Sequence, residues 1–165
     1  MEVVVTELPR LARTILLADD EPYNLEWLVE FLSSQGYQVR TAVTVDAALK
    51  DLQKNRFRAV IADLSIPPGG ARLPRSTTEP LYGRYPGMTI AEYARSRGHL
   101  DRQVIVYSVH DDQEAREEAA RIRCTYVNKG RPREMKRELL SVLDYDPLAH
   151  QGGEGPNGAE DAHVG

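Results

Sequence analysis

The 165-residue sequence lacks cysteine pairs, long apolar runs and the features of a signal peptide. Its single cysteine, Cys124, excludes an internal disulfide and is typical of a reducing compartment. No segment approaches the roughly 20 apolar residues that a membrane-spanning helix needs. The apolar residues after Met1 are too few for a signal sequence, and a basic start is missing. We therefore expect a cytoplasmic protein.

A large excess of one charge is also absent. The chain has 21 Lys and Arg residues against 25 Asp and Glu residues, which leaves a net charge of -4. This balance does not favour general binding to nucleic acid or to an anionic membrane. The length suffices for one domain with a buried core. We expect that domain at residues 13–146, with an N-terminal extension at 1–12, a loop insertion at about 66–86 and a flexible tail at 147–165.

Strand-like and helix-like patterns alternate along the domain. The predicted strands are residues 13–18, 37–41, 58–63, 103–107 and 124–127. Their continuous apolar character indicates strands that are covered on both faces, as in a parallel sheet. The segments between them repeat apolar residues at helical spacing. This alternation predicts a doubly wound three-layer α/β fold.

Proline and glycine mark where helices begin, end or are interrupted. The first helix is predicted to begin at Pro22 and to end at Gly36, and the last to begin near Pro132. Residues 66–86 hold five of the ten prolines and three glycines. Because proline removes a donor and clashes with the preceding turn, this stretch is predicted to be a long loop without a regular helix.

Polar residues stand at the ends of four predicted strands. Asp19 and Asp20 follow the first strand, and Asp63 ends the third. Ser108 follows the fourth strand, and Lys129 comes soon after the fifth. In an open α/β sheet, ligands bind outside the carboxyl ends of the strands. These side chains are therefore predicted to meet in one crevice.

The set fits a site that holds a divalent cation and accepts a phosphoryl group. Asp20 and Asp63, with Asp19 close behind, offer the oxygen ligands that Mg²⁺ prefers, and three neighbouring acids favour a cation. Asp63 stands alone at its strand end and is the predicted nucleophile. Lys129 and Ser108 can contact phosphoryl oxygens, the serine only in the modified state. Each of these residues alone is also explained by an ordinary structural role, such as a helix N-cap or a turn residue. Their joint occurrence at four strand ends favours the phosphoryl-accepting site.

The segments around these residues resemble the receiver domain of bacterial response regulators. They read ILLADDE at Asp19 and Asp20, VIADLSIP at Asp63, VIVYS at Ser108 and YVNK at Lys129. The resemblance covers about residues 13–143 and implies a protein of two-component signalling. It also implies a flavodoxin-like, doubly wound, five-stranded parallel sheet in the order 2-1-3-4-5.

The resemblance implies a role for each site residue. Asp63 is the implied phosphoacceptor. It receives the phosphoryl group from a phosphohistidine of a sensor histidine kinase or a phosphotransferase. Mg²⁺ is the implied cofactor, and its ligands are Asp19, Asp20, Asp63 and the backbone carbonyl of Ser65.

Ser108 and Tyr126 are implied as the switch residues. Ser108 would move toward the phosphoryl group, and Tyr126 would turn inward, which changes partner preference on the face around the fourth predicted helix, last strand and last helix. The chain departs from the family at two positions. Gly130 stands where proline is usual, which predicts a less rigid loop. Val109 stands where a small residue is usual, which predicts narrower access to Asp63.

The insertion at 66–86 splits the proline- and methionine-containing turn of the family, so that it leaves and re-enters the domain beside the crevice. Its arginines, Arg72, Arg75 and Arg84, suggest a lid over the phosphoryl site or a contact with the kinase. A surface loop without such a role is the alternative.

We expect a stand-alone receiver that switches protein–protein interactions, without turnover of an external substrate. The expected partners are the phosphodonor, an unidentified downstream protein and, as a further option, a second copy. The main alternative is an interaction module that is never phosphorylated. An aspartyl phosphatase would need an acid where Ser65 stands, and a flavin carrier would need a phosphate loop where Asp-Asp-Glu-Pro follows the first strand.

Overall fold

A computed structural model describes residues 8–70 and 79–149 of the chain. Its strands are β1 (Arg10–Ala18), β2 (Gln38–Ala42), β3 (Arg56–Asp63), β4 (Val104–Ser108) and β5 (Thr125–Asn128). Its helices are α1 (Glu26–Ser34), α2 (Val45–Lys54), α3 (Glu79–Arg84), α4 (Gly87–Ser96), α5 (Gln113–Arg121) and α6 (Pro132–Asp144). All five predicted strands are present, and β1 begins three residues earlier than expected.

The five strands form one parallel sheet in the order β2-β1-β3-β4-β5. This is the doubly wound fold that the alternation of strands and helices predicts, with the flavodoxin-like strand order that the family resemblance implies. The side chains of each strand alternate between two cores. In β3, Val60 and Ala62 face the core with α2, α4 and α5, while Ala59 and Ile61 face the core with α1 and α6. Both faces of the sheet are therefore covered, which explains the continuous apolar runs.

Local signals set the helix boundaries. A 3₁₀ turn that starts at Pro22 leads into α1, and Gly36 follows the helix with a φ of 91°, a value that favours glycine. The Thr44 side chain caps α2 by accepting the N–H of Ala47. Asp112 caps α5 in the same way, with two backbone N–H groups as donors.

The prediction that residues 66–86 hold no regular helix is wrong at the end of that range. Helix α3 spans Glu79–Arg84. Pro80 lies in its first turn, where a missing N–H breaks no intrahelical bond, and Leu81 and Tyr82 are buried. Burial of two large side chains therefore supports a short helix that the proline count argued against. Residues 71–78 lie outside the described part of the chain.

Two predicted segments lie partly outside the described residues: the N-terminal extension at 1–12, of which residues 1–7 are not described, and the flexible tail at 147–165, of which residues 150–165 are not described. Among the helices of residues 8–70 and 79–149, none is long and apolar enough to cross a membrane.

Candidate functional site

The parallel sheet brings the ends of β1, β3, β4 and β5 to one edge. Residue pairing aligns Ala18 with Ala62, and Asp63 with Tyr107. Ser108 pairs with Asn128, directly before Lys129. Polar residues that are far apart in the chain therefore meet at the carboxyl edge of the sheet, as expected from the strand ends.

Three carboxylates form a cluster at this edge. One oxygen from each of Asp19, Asp20 and Asp63 can be chosen so that all lie within 4.8 Å of one another. Asp19 is fully buried and Asp63 is only 6% exposed, whereas Asp20 is open to solvent. Acids this close repel one another, so the cluster favours a bound cation.

Donors from three parts of the chain satisfy the buried Asp19 carboxylate. Its Oδ1 accepts the backbone N–H of Glu21 at 2.7 Å. Its Oδ2 accepts the hydroxyl of Tyr107 and the ammonium of Lys129, the latter at 2.9 Å. A buried carboxylate is costly unless it is paired and hydrogen-bonded, and these donors supply both.

Asp63 is less completely paired than Asp19. Its Oδ1 accepts the backbone N–H of Ser65 at 3.1 Å, and its Oδ2 lies 3.5 Å from the Lys129 ammonium. Burial raises the pKa of Asp63 above its usual value, although the Ser65 N–H and Lys129 act in the opposite direction. Burial also disfavours the Lys129 ammonium, but its hydrogen bond to Asp19 and the nearby Asp63 charge outweigh this, so the pKa of Lys129 is raised.

The donor set of this edge fits a magnesium ion. Mg²⁺ takes oxygen ligands and is usually bound by one or two carboxylates with several waters. Asp20 and Asp63 each contribute a carboxylate oxygen to the cluster, and neither accepts the full set of donors that Asp19 accepts. One lysine does not neutralise three acids. The residues present therefore fit a divalent cation.

Ser108 is buried at the end of β4. Its side-chain oxygen accepts the N–H of His110 at 3.1 Å, and its carbonyl accepts the N–H of Lys129 at 2.7 Å. The next residue, Val109, is 59% exposed, so its side chain is directed largely to solvent.

Tyr126 of β5 lies on the surface beside α5. Its hydroxyl donates to the carbonyl of His110 at 2.9 Å, and the Arg116 guanidinium lies over its ring at 4.5 Å from the centroid. Gly130, after Lys129, has a φ of 99°, and a Cβ there would meet no atom within 4 Å. Backbone conformation rather than crowding therefore favours glycine at this position.

The insertion does not place its described arginine at the acid cluster. Arg84 pairs with Glu114 of α5 at 3.1 Å and lies 4.0 Å from Asp112. Arg72 and Arg75 fall outside the described residues. The lid hypothesis thus has no support from Arg84, whose contacts connect the insertion to α5.

Sequence reasoning missed Tyr107. It was counted as part of an apolar strand, yet its buried hydroxyl reaches Asp19, and its ring lies 4.9 Å from the Lys129 ammonium. Burial, and then the Asp19 carboxylate, raise the pKa of Tyr107, which keeps the hydroxyl protonated as a donor. A tyrosine at the last core position of a strand that leads into a polar site was the available signal.

Lys129, which contacts the acid cluster, also lines a small cavity. It has a volume of about 170 Å³, and its lining includes Trp27, Tyr107, Lys129 and Met135. The cavity is largely apolar and lies between α1 and the loop that joins β5 to α6.

The fold and the site together define a flavodoxin-like α/β protein with an acid cluster and a lysine at its ligand-binding edge. The model of the response regulator receiver domain family matches residues 15–72, which include Asp19, Asp20 and Asp63. This part of the chain is therefore similar to a response regulator receiver domain. No curated protein matches the chain significantly.

Solved structures with the same fold include several receivers. A CheY-like response regulator receiver domain protein from Methanospirillum hungatei has 20% identity and a TM-score of 0.60, over 84% of this chain and 95% of that one. A putative response regulator from Chloroflexus aurantiacus has 24% identity and a TM-score of 0.58, over 81% and 98%. The receiver domain of the sensor histidine kinase PA1611 from Pseudomonas aeruginosa has 20% identity and a TM-score of 0.59, over 81% and 99%. That last structure contains a magnesium ion in its active site cleft.

Proposed function

We propose that this protein accepts a phosphoryl group on Asp63 from the phosphohistidine of a sensor histidine kinase or a phosphotransferase. The observation that carries the proposal is the position of Asp63: a buried carboxylate that faces Lys129 and adjoins two further acids. The phosphorylated form then differs from the resting form in its binding to another protein, as in a stand-alone switch or a relay.

The transfer uses one carboxylate oxygen of Asp63. The Ser65 N–H occupies Oδ1, which leaves Oδ2, on the Lys129 side, as the attacking oxygen. An oxygen–phosphorus bond forms while the phosphorus–nitrogen bond of the donor breaks, and the histidine nitrogen keeps the electron pair. Bound Mg²⁺ supplies neutralisation of the phosphoryl charge. Asp19, Asp20, Asp63 and the carbonyl of Ser65 would hold the ion.

Lys129 and Ser108 complete the proposed chemistry. Lys129 gives up part of its pairing with Asp19 and Asp63 and contacts a phosphoryl oxygen as a compact positive charge. The Ser108 hydroxyl donates to another phosphoryl oxygen. Because this contact exists only in the phosphorylated form, it stabilises that form relative to the resting one.

Tyr126 is the proposed reporter of the change. Its hydroxyl binds His110, two residues after Ser108, so a shift of this loop removes the bond that holds the ring at the surface. The face that includes α5, β5 and α6 then changes its preference for partners.

A second candidate is an interaction module that is never phosphorylated. The donors on Asp19 favour it, because Tyr107 and Lys129 already satisfy that acid within the chain. The two candidates differ in whether Asp63 reacts.

Intact mass spectrometry after incubation with Mg²⁺ and acetyl phosphate tests the proposal. We expect one phosphoryl adduct on the wild type and none on Asp63→Asn. Asp144→Asn, which changes an exposed acid at the end of α6, is the matched control and should keep the adduct. A wild type that takes up neither a phosphoryl group nor beryllofluoride would favour the second candidate.

A further inference from the structure

The described residues at the C-terminal end of the insertion, together with the start of α4, connect β3 to α5. Residues 79–88 are called the re-entry segment here; they comprise α3 and the first residues of α4. Leu81 and Tyr82 of this segment are buried in the core with Ala115 and Ala119 of α5. The segment is thus part of the folded domain.

One end of the re-entry segment is fixed against the backbone of the phosphoacceptor. The N–H of Gly87 donates to the carbonyl of Leu64 at 3.0 Å. A Cβ on Gly87 would lie only 2.1 Å from the carbonyl oxygen of Asp63. Backbone meets backbone here without an intervening side chain, so the segment cannot shift much relative to Asp63.

Two tyrosine hydroxyls of the re-entry segment bind α5 and its N-cap residue, Asp112. Buried Tyr82 donates to the Glu118 carboxylate at 2.6 Å, and the Glu92 carboxylate lies 3.2 Å away. Tyr85 donates to Asp112 at 2.6 Å. The hydrogen bond to Asp112 raises the pKa of Tyr85 to about 12, so the hydroxyl stays protonated and remains a donor.

Asp112 connects the re-entry segment to residues 108–112, which are called the switch loop here. Its Oδ1 caps α5 by accepting the N–H groups of Glu114 and Ala115, and its Oδ2 accepts the Tyr85 hydroxyl. The loop from Ser108 to Asp112 is therefore held at its α5 end by Tyr85. On its outer side it is held by Tyr126, through the carbonyl of His110.

We propose that Tyr85 is a positioning residue for phosphoryl uptake, which holds the switch loop in its resting place and so restrains Ser108. The inference rests on the proposed function. A short, nearly rigid connection runs from Gly87, on the backbone of Asp63, to Asp112, four residues after Ser108. A movement of Ser108 toward Asp63 that carries residues 109–112 with it therefore strains the Tyr85–Asp112 hydrogen bond. The insertion thus adds a restraint that acts on the switch loop and not on the cation site.

Tyr85→Phe removes the hydroxyl and keeps the ring. We expect faster amide hydrogen exchange in residues 108–113 of the resting protein, because that loop loses one anchor. We also expect phosphoryl uptake from acetyl phosphate to be about three- to ten-fold faster, as loss of one hydrogen bond shifts such an equilibrium. The Mg²⁺ dissociation constant, measured by calorimetry, should stay unchanged, which separates loop positioning from general damage to the site.

Two further variants sharpen the test. Tyr93→Phe is the matched control: it removes the hydroxyl of a partly buried α4 tyrosine whose ring contacts Arg97, and it should behave as the wild type. Asp112→Asn keeps an N-cap residue but replaces the carboxylate that binds Tyr85, and it should act in the same direction as Tyr85→Phe.

The outcomes separate this inference from the proposed function. If the wild type gains an adduct and Tyr85→Phe gains it at the same rate or more slowly, the positioning role is wrong while the proposed function stands. Unchanged exchange in residues 108–113 would also refute the positioning role. A wild type with no adduct would overturn both.

Discussion

His99 is a buried histidine away from the acid cluster, and its two ring nitrogens bind different elements. Its Nε2 accepts the N–H of Phe57 in β3 at 2.9 Å, and its Nδ1–H donates to the carbonyl of Ala94 in α4 at 3.0 Å. These bonds require the neutral ring. Burial lowers the pKa of His99 to about 4, although the Ala94 carbonyl acts in the opposite direction.

This residue predicts how stability depends on pH. The unfolded chain binds the histidine proton below about pH 6.5, whereas the folded chain binds it only near pH 4, so unfolding takes up a proton between these values. The free energy of unfolding should therefore fall as pH falls through this window, by up to about 1.4 kcal/mol per pH unit from this group. Urea unfolding at several pH values measures the slope.

His99→Asn tests the assignment, since it should be less stable at neutral pH yet show a shallower slope between pH 6.5 and 4. His110→Gln, which removes an exposed histidine, is the control. An identical slope in wild type and His99→Asn would contradict the role of His99.

At the scale of the element, β3 and α4 pack backbone against backbone at Gly87. A Cβ on Gly87 would meet the carbonyl oxygen of Asp63 at 2.1 Å and backbone atoms of residues 63 and 64 at 2.8 Å. Backbone atoms cannot rotate away as a flexible side chain can. The close approach therefore places α4 directly against the end of β3.

Gly87→Ala should lower the free energy of unfolding by about 3 kcal/mol or more, because the added methyl group forces β3 and α4 apart. Gly83→Ala is the matched control. A Cβ at that exposed α3 position meets nothing within 4 Å, and the substitution should raise stability by up to about 1 kcal/mol. Chemical denaturation compares the two variants. Equal, small effects would mean that the two elements are less closely packed than described.

At the scale of the whole molecule, the acid cluster exists only in the folded chain. Its three acids come from two strand ends that are adjacent only in the folded sheet, so the unfolded chain does not assemble the site. A cation that binds only the folded state raises the free energy of unfolding, by about 2.7 kcal/mol at one hundred times its dissociation constant. The arrangement therefore predicts stabilisation of the protein by Mg²⁺.

Thermal unfolding with and without Mg²⁺, at constant ionic strength, measures this effect. The wild type should unfold at a higher temperature with Mg²⁺, and Asp20→Asn should show a smaller rise because the site loses a carboxylate. The same rise in both proteins would indicate that the ion acts elsewhere.

The sequence by itself predicted the five strands, the two-sided cover of the sheet and the acids at its edge. Runs such as Val60–Ala62 and the polar residue that ends them are local signals, and parallel pairing follows from them. The prediction at α3 was wrong because it counted prolines as helix breakers. The burial of Leu81 and Tyr82, which supports the helix, is a tertiary effect that a local rule does not include.

Only the tertiary structure decided which polar groups meet across the sheet. Tyr107 and Asp19 are 88 residues apart, and Tyr82 and Glu118 are 36 apart. Arg58 stands at the start of an apolar run and is buried, and its guanidinium donates a hydrogen bond to the carbonyl of Leu143. Periodicity reports which face of an element is covered, but partners across elements depend on register and packing. The sequence therefore predicted the acid site, whereas the Tyr107 hydroxyl that contacts Asp19 and the Tyr85–Asp112 hydrogen bond are visible only in the folded structure.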